Sequence, residues 1–279
     1  ALARLFGVVP VVALADDGSG DEIVIIAGSD FQDPDDGTNA AAPASSLNVQ
    51  TILSRIKENH PTANGLIFCG DYDKDLPSAN VQTSTDALKA AAQSIFPELN
   101  DFFLVQGNHD QCTQGTNGLS GTGAHDTDDY GVYLIDEDDY LWQDGGSQAN
   151  QIMTVQTAAD LRAYLMEKVE EGYTKPVFIA SHVPLHYTVR TYNYGDGRFG
   201  KYIFDEVQNA ADLGLTIIYM YGHDHSQGWD NYMGGSAVYL PVGHDINICD
   251  IGTKTAYTTY QLNFTYMNAG FTGYYDDWE

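Results

Sequence analysis

Five unbroken apolar runs of strand length punctuate the chain: Glu22–Gly28 (EIVIIAG), Gly65–Cys69 (GLIFC), Phe102–Gln106 (FFLVQ), Pro176–Ser181 (PVFIAS) and Leu215–Tyr221 (LTIIYMY). Runs that do not alternate are what strands covered on both faces require. Between them the period lengthens. Ser45 or Ser46 is placed to cap a helix whose Val49, Ile52, Leu53 and Ile56 form one face, ending near His60-Pro61. Further helices are predicted over Thr83–Ile95, over Thr157–Val169 through Ala158, Leu161, Leu165 and Val169, and within Gly197–Leu213 through Phe199, Ile203, Val207 and Ala210.

The rest of the pattern is more broken. Residues 111–129 are rich in Gly, Thr and Asp without periodicity and read as a long loop; Gly131–Ile135 and Tyr140–Trp142 read as a strand pair. From Ser236 onward, Tyr- and Thr-rich stretches (VYLPV, TAYTTYQLNFTYM, GFTGYY) alternate with period two, as antiparallel strands do. A βαβαβ start, a mixed middle and a mostly β end predict an α/β fold with helices outside stacked sheets. No internal repeat or composition shift divides residues 22–279, which read as one domain behind a polar linker at 16–21.

Composition narrows the function. The chain has 279 residues, and its 43% hydrophobic content rules out a disordered class. With 12 Lys+Arg against 39 Asp+Glu, the formal charge of -27 argues against nucleic acid or an anionic membrane as a stable partner, since nothing neutralises a row of phosphates. Clustered carboxylates would instead attract divalent cations. Ala1–Ala15 stands apart: Arg4, an apolar run Leu5–Leu14, then Ala13-Leu14-Ala15 resemble the tail of a secretory signal peptide with its cleavage site, so the protein is expected to be secreted or at the cell surface. That run is too short to span a bilayer. Three cysteines, Cys69, Cys112 and Cys249, form neither a disulfide framework nor a zinc-finger pattern; a Cys112–Cys249 bridge stays open.

The chemistry gathers where the apolar runs stop. Asp30, Asp71, Asn108-His109, His182, and the pair His223 and His225 all follow a predicted strand. Ligands of α/β sheets sit outside the carboxyl ends of the strands, because the loops there converge. Taken singly, each of these residues also suits a turn, a cap or a loop. Five at one type of topological position point to a shared metal site.

These residues resemble the calcineurin-like metallophosphoesterase family, whose pattern is Asp-x-His, Gly-Asp, Gly-Asn-His-Asp or Glu, a lone His, and Gly-His-x-His. This chain has Asp30-Phe31-Gln32, Gly70-Asp71, Gly107-Asn108-His109-Asp110, Ser181-His182 and Gly222-His223-Asp224-His225 in that order. The resemblance implies a calcineurin-like four-layer sandwich, two stacked mixed sheets flanked by helices. It also implies metal-dependent hydrolysis of a small phosphate ester, monoester or diester, by a hydroxide activated between two metal ions, with Mn, Fe or Zn as the candidates.

By the resemblance, Asp30, Gln32, Asp71 and His225 would surround one ion and Asp71, Asn108, His182 and His223 the other, with Asp71 bridging. His109 would hydrogen-bond the phosphoryl oxygen or protonate the leaving group, oriented by Asp110. Gln32 departs from the pattern, standing where the family has a histidine, so the first ion would lean more heavily on His225. This departure motivates the alternative of a secreted or surface binding protein that keeps the fold with an impaired site. Tyr72 does not match the tyrosine spacing of purple acid phosphatases. His186, His125 and His244 are less secure candidates for the pocket, and Arg190 and Arg198 are the evident cations to assist a phosphate.

Overall fold

Successive residues of each apolar run feed two different cores. In the computed structural model the described residues are 11–16, 22–31, 42–73, 81–110, 112–113, 115–136, 148–186, 199–223, 239–253, 256–270 and 272. Strands β1 (Val11–Asp16), β2 (Glu22–Gly28), β3 (Gly65–Phe68) and β4 (Phe102–Leu104) form a first sheet in that order. β1 is antiparallel to β2, and β2, β3 and β4 are parallel, joined by helices α1 (Ala42–Asn59) and α2 (Val81–Ile95). The second sheet contains β5 (Gly123–Ala124), β6 (Gly131–Ile135), β7 (Val177–Ser181), β8 (Ile217–Tyr221), β12 (Thr265–Asn268) and β9 (Tyr239–Leu240), in that order. Its central strands β6, β7, β8 and β12 run parallel.

Three apolar layers follow from the alternation. Val24, Ile26, Leu66, Phe68 and Leu104 point to α1 and α2, meeting Val49, Leu53, Leu88 and Ala92. Their neighbours Ile23, Ile25, Ala27, Ile67, Phe103 and Val105 face the other sheet, where Val132, Leu134, Phe178, Ala180, Ile218 and Met220 meet them. The opposite face of that sheet, through Tyr133, Ile135, Val177, Ile179, Ile217 and Tyr219, packs on α3 (Gln148–Glu170), α4 (Gly200–Asp212) and the hairpin of β10 (Asp245–Cys249) and β11 (Tyr257–Gln261). This is the helix–sheet–sheet–helix sandwich expected, with both faces of the central strands covered. No helix among the described residues is long and apolar enough to cross a membrane.

Several local expectations are corrected. Ser45 and Ser46 lie inside α1, which begins at Ala42; Pro43 suits a first helical turn, where its missing N–H needs no partner. α3 begins at Gln148 rather than Thr157, because Ile152 and Val155 in its first turns are exposed and leave no buried stripe to read. β6 pairs with β5 and β7, and the strand predicted at 140–142 lies outside the described residues. β12 enters the second sheet parallel to β8, and only its pairing with β9 is antiparallel. All three cysteines are free: Cys112 packs on the α1–α2 side and Cys249 sits in β10 beside α4, in opposite outer layers.

Phe178 tests the central layer, since it is fully buried between the sheets with its ring edge-on to Tyr130 at 5.6 Å. Phe178→Ala should lower unfolding free energy by about 3–5 kcal/mol in urea denaturation. A loss below about 1 kcal/mol would show that the sheets do not meet there.

Candidate metal centre

Every described residue of the motif set sits just past the carboxyl end of a strand, and three of them turn the backbone the rare way. Asp30, Asp71 and His223 have φ of +53°, +60° and +67°. Such left-handed backbone is uncommon for residues other than glycine and collects at functional sites, where the packing around it sustains the strain. Each kink here follows a parallel strand, and all three residues are at most 2% exposed.

Close approach of the loops demands glycine. A Cβ on Gly222 would lie 1.7 Å from Ser29 Oγ and one on Gly107 would lie 2.3 Å from Asp71 Oδ1, so neither position tolerates a side chain. The glycines of the Gly-His-x-His and Gly-Asn-His-Asp motifs are therefore packing requirements of the site.

Four atoms converge in the space thus formed. Asp71 Oδ2 lies 3.3 Å from His182 Nε2; Asn108 Oδ1 lies 3.0 Å from the same nitrogen and 2.9 Å from His223 Nδ1; and the two imidazole nitrogens are 3.2 Å apart. Asp71, His182 and His223 form a buried group with ligand atoms all within 4.8 Å of one another. Two ligands each about 2.0–2.1 Å from one ion stand about 2.9 Å apart at a right angle and about 3.3 Å apart at the tetrahedral angle. The observed separations fall in that interval.

Electrostatics favours a positive charge at the same point. His182 Nδ1–H donates to the Cys69 carbonyl at 2.6 Å, which fixes the tautomer and leaves the Nε2 lone pair facing Asn108 Oδ1 and Asp71 Oδ2. Oxygen and nitrogen lone pairs pointed at one another need a proton or a cation between them. Burial by itself lowers the His182 pKa, but the Asp71 carboxylate outweighs it and raises the value to about 10. Burial likewise opposes the charge on Asp71, and His182 and then His109 hold that carboxylate well below its usual range. The donor set fits a divalent metal ion.

The remaining motif residues frame this cluster. Asp30 Oδ2 lies 2.5 Å from the Ser29 hydroxyl, which donates to it, and accepts the His223 N–H at 3.0 Å. His109 donates its backbone N–H to Asp71 Oδ1 at 2.9 Å, while its ring stays 26% exposed with Nε2 4.0 Å from Asp71 Oδ2. Asp110 was expected to orient that ring. Its oxygens instead accept the N–H groups of Gly107, Asp71 and Tyr72 at 2.8–2.9 Å, so it fastens the β3 and β4 loops together. Gln32, His225, Arg190 and Arg198 lie outside the described residues.

The less secure candidates separate. His186 is buried between Tyr221 and Tyr266, its Nδ1 2.9 Å from the Tyr266 hydroxyl, and burial lowers its pKa to about 3, so it is a neutral core histidine. His125 bonds the Gly121 carbonyl within its own loop, and His244 is exposed. The Tyr72 hydroxyl donates back to the Phe68 carbonyl at 3.2 Å within the α1–α2 core. Sequence reasoning missed Ser29, whose place beside Asp30 was a usable signal, and the Cys69 carbonyl, for which a side-chain motif has none.

No curated protein matches the chain. Among solved structures it is similar to the purple acid phosphatase PPD1 from yellow lupin (Lupinus luteus) seeds, with a TM-score of 0.41 and 14% identity over 74% of this chain. It spans 41% of that protein's length. It is also similar to the phosphopantetheinyl hydrolase PptH from Mycobacterium tuberculosis, with a TM-score of 0.36, 12% identity and 89% of both chains covered. The family model for calcineurin-like phosphoesterases matches residues 24–227. The chain thus belongs to the calcineurin-like phosphoesterase family, a family of phosphoric ester hydrolases.

Proposed function

We propose that this protein hydrolyses a small phosphate ester, monoester or diester, at a two-metal centre. The observation that carries the reading is the convergence of Asp71 Oδ2, Asn108 Oδ1, His182 Nε2 and His223 Nδ1, acceptor atoms spaced as ligands of one ion. By the family pattern Asp71 would also serve a second metal position, which Asp30, Gln32 and His225 would complete. When bound, the metals would supply Lewis-acid charge to the phosphoryl oxygens and a nucleophile from water at neutral pH.

The chain's own residues do the rest. Asp71 and Asp30 bring negative charge where two cations must sit close together, and Asn108 adds a neutral oxygen. His109, the most exposed residue of the described set, is held by its backbone on Asp71 while its side chain stays 26% exposed, which puts the ring within reach of a substrate at the centre. There it donates a hydrogen bond to the phosphoryl oxygen or a proton to the leaving-group oxygen. Asp110 keeps the two loops in register through the N–H groups of Gly107, Asp71 and Tyr72. Export, proposed from Ala1–Ala15, has a structural corollary: cleavage after Ala15 would remove all but Asp16 of β1 and leave the outer edge of β2 uncovered.

Chelation followed by supplementation with manganese, zinc or iron tests the reading on a chromogenic monoester and diester. Activity should vanish on chelation and return with at least one metal; hydrolysis of neither ester under any metal would leave the binding-protein alternative standing. Asp71→Asn and His182→Ala should each lower bound metal, measured by elemental analysis, and reduce kcat by roughly a hundredfold or more. His109→Ala should keep parental metal content and melting temperature while kcat drops about 10²–10⁴-fold. Loss of metal in that variant would place His109 among the ligands instead.

A further inference from the structure

The family match ends at residue 227, yet the chain beyond it returns to three of the strand ends that build the site. The Ala269 N–H donates to the Tyr221 carbonyl at 2.7 Å, just ahead of His223. The Tyr266 hydroxyl accepts the Leu185 N–H at 2.8 Å, three residues past His182. Thr272, 4% exposed, donates both its N–H and its hydroxyl to the Ser29 carbonyl, each at 3.0 Å.

The last contact acts on one of the three left-handed turns of the site. The Ser29 carbonyl and the Asp30 N–H belong to one peptide plane. Thr272 holds the carbonyl end of that plane, and the Gly70 carbonyl accepts the N–H end at 2.9 Å. A left-handed aspartate would ordinarily relax by rotating this peptide, and a plane gripped at both ends cannot rotate without breaking bonds. We propose that Thr272 is a positioning residue for the metal centre: by fixing the Ser29–Asp30 peptide it holds the turn that aims the Asp30 carboxylate. This inference rests on the two-metal reading above and extends it to a residue 242 positions from Asp30 in the chain.

Thr272 has two halves with separable roles. Its hydroxyl grips Ser29, while its methyl lies 3.7 Å from where a Cβ on Gly28 would be, against the apolar face lined by Leu66 and Phe68. Thr272→Val keeps the shape and loses the hydroxyl donor, leaving the backbone N–H as the one remaining bond to the Ser29 carbonyl; Thr272→Ser keeps the hydroxyl and loses the methyl. If the residue only packs, the serine variant is the damaged one. If it positions Asp30, the valine variant is.

Manganese binding to the full chain by titration calorimetry decides between them. Thr272→Val should bind the weaker of two manganese equivalents roughly fivefold less tightly, the scale of one hydrogen bond, and Thr272→Ser should match the parent. Should Thr272→Val not fold, Thr272→Ala against Thr272→Ser gives the same contrast, since both lack the methyl and only serine keeps the donor. Parental affinity in the variants without the hydroxyl, or a serine variant as weak as they are, overturns the inference while leaving the metal reading intact. A parent chain that takes up no manganese, zinc or iron overturns both.

Discussion

Asp110 lies fully buried at the seam between the loops after β3 and β4, where its oxygens accept the N–H groups of Gly107, Asp71 and Tyr72. Taking a carboxylate out of water costs several kcal/mol unless its lone pairs are met. Burial and then the neighbouring Asp71 charge push its pKa up to about 8, and the N–H groups of Gly107 and Tyr72 oppose that rise. In exchange, one side chain fixes the peptide that enters Asp71 and the peptide that enters Gly107, one residue ahead of Asn108. With those two planes set, the Asp71 and Asn108 side chains have little freedom about where their oxygens point. The candidate ligands depend on a residue whose carboxylate faces the backbone.

The same logic recurs at the other strand ends. Asp30 is gripped through its own N–H by Gly70 and through its carboxylate by the His223 N–H, so two loops nearly two hundred residues apart are joined by a backbone-to-carboxylate bond. His182 is turned by a carbonyl from β3's end, which selects its tautomer. Left-handed backbone at Asp30, Asp71 and His223 is tolerable only because these cross-loop bonds leave no cheaper arrangement. Preorganisation of this kind also explains the short distances among atoms that would otherwise repel. The surrounding peptides hold them, not attraction within the cluster.

The layered core was legible because strands covered on both faces must be apolar at every position, a pattern that no surface strand imitates. The motif side chains were legible for a related reason: a polar residue ending such a run cannot join the core and has to face the crescent where the loops meet. What stayed hidden was carried by backbone groups and hydroxyls. Asp110 looks like a ring-orienting carboxylate in sequence, and only the folded distances assign it to backbone N–H groups. Thr272 and Tyr266 sit in Tyr- and Thr-rich stretches where hydroxyls are common and none is marked. The first turns of α3 were invisible because exposed Ile152 and Val155 break the stripe that would announce them.

The charge of the whole chain sharpens the role of the centre. At -27 the surface repels a phosphate ester, although beyond about 8–10 Å salt screens most of that repulsion. What remains is decided locally, where Asp30 and Asp71 add further negative charge in a buried space. A phosphate cannot enter such a pocket while the carboxylates stand alone. The convergence of Asp71, Asn108, His182 and His223 is therefore better understood as a device for reversing the sign of the site than as a recognition surface for the ester. The raised proton affinity of His182 expresses the same preference with the smallest cation available. Asp71, Asn108, His182 and His223 would together hold a divalent ion, which would satisfy that preference more fully and would supply net positive charge toward the His109 ring. Under the proposed reading, affinity for substrate is thus a consequence of affinity for metal, and the scarcity of lysine and arginine in the chain is no obstacle to binding phosphate.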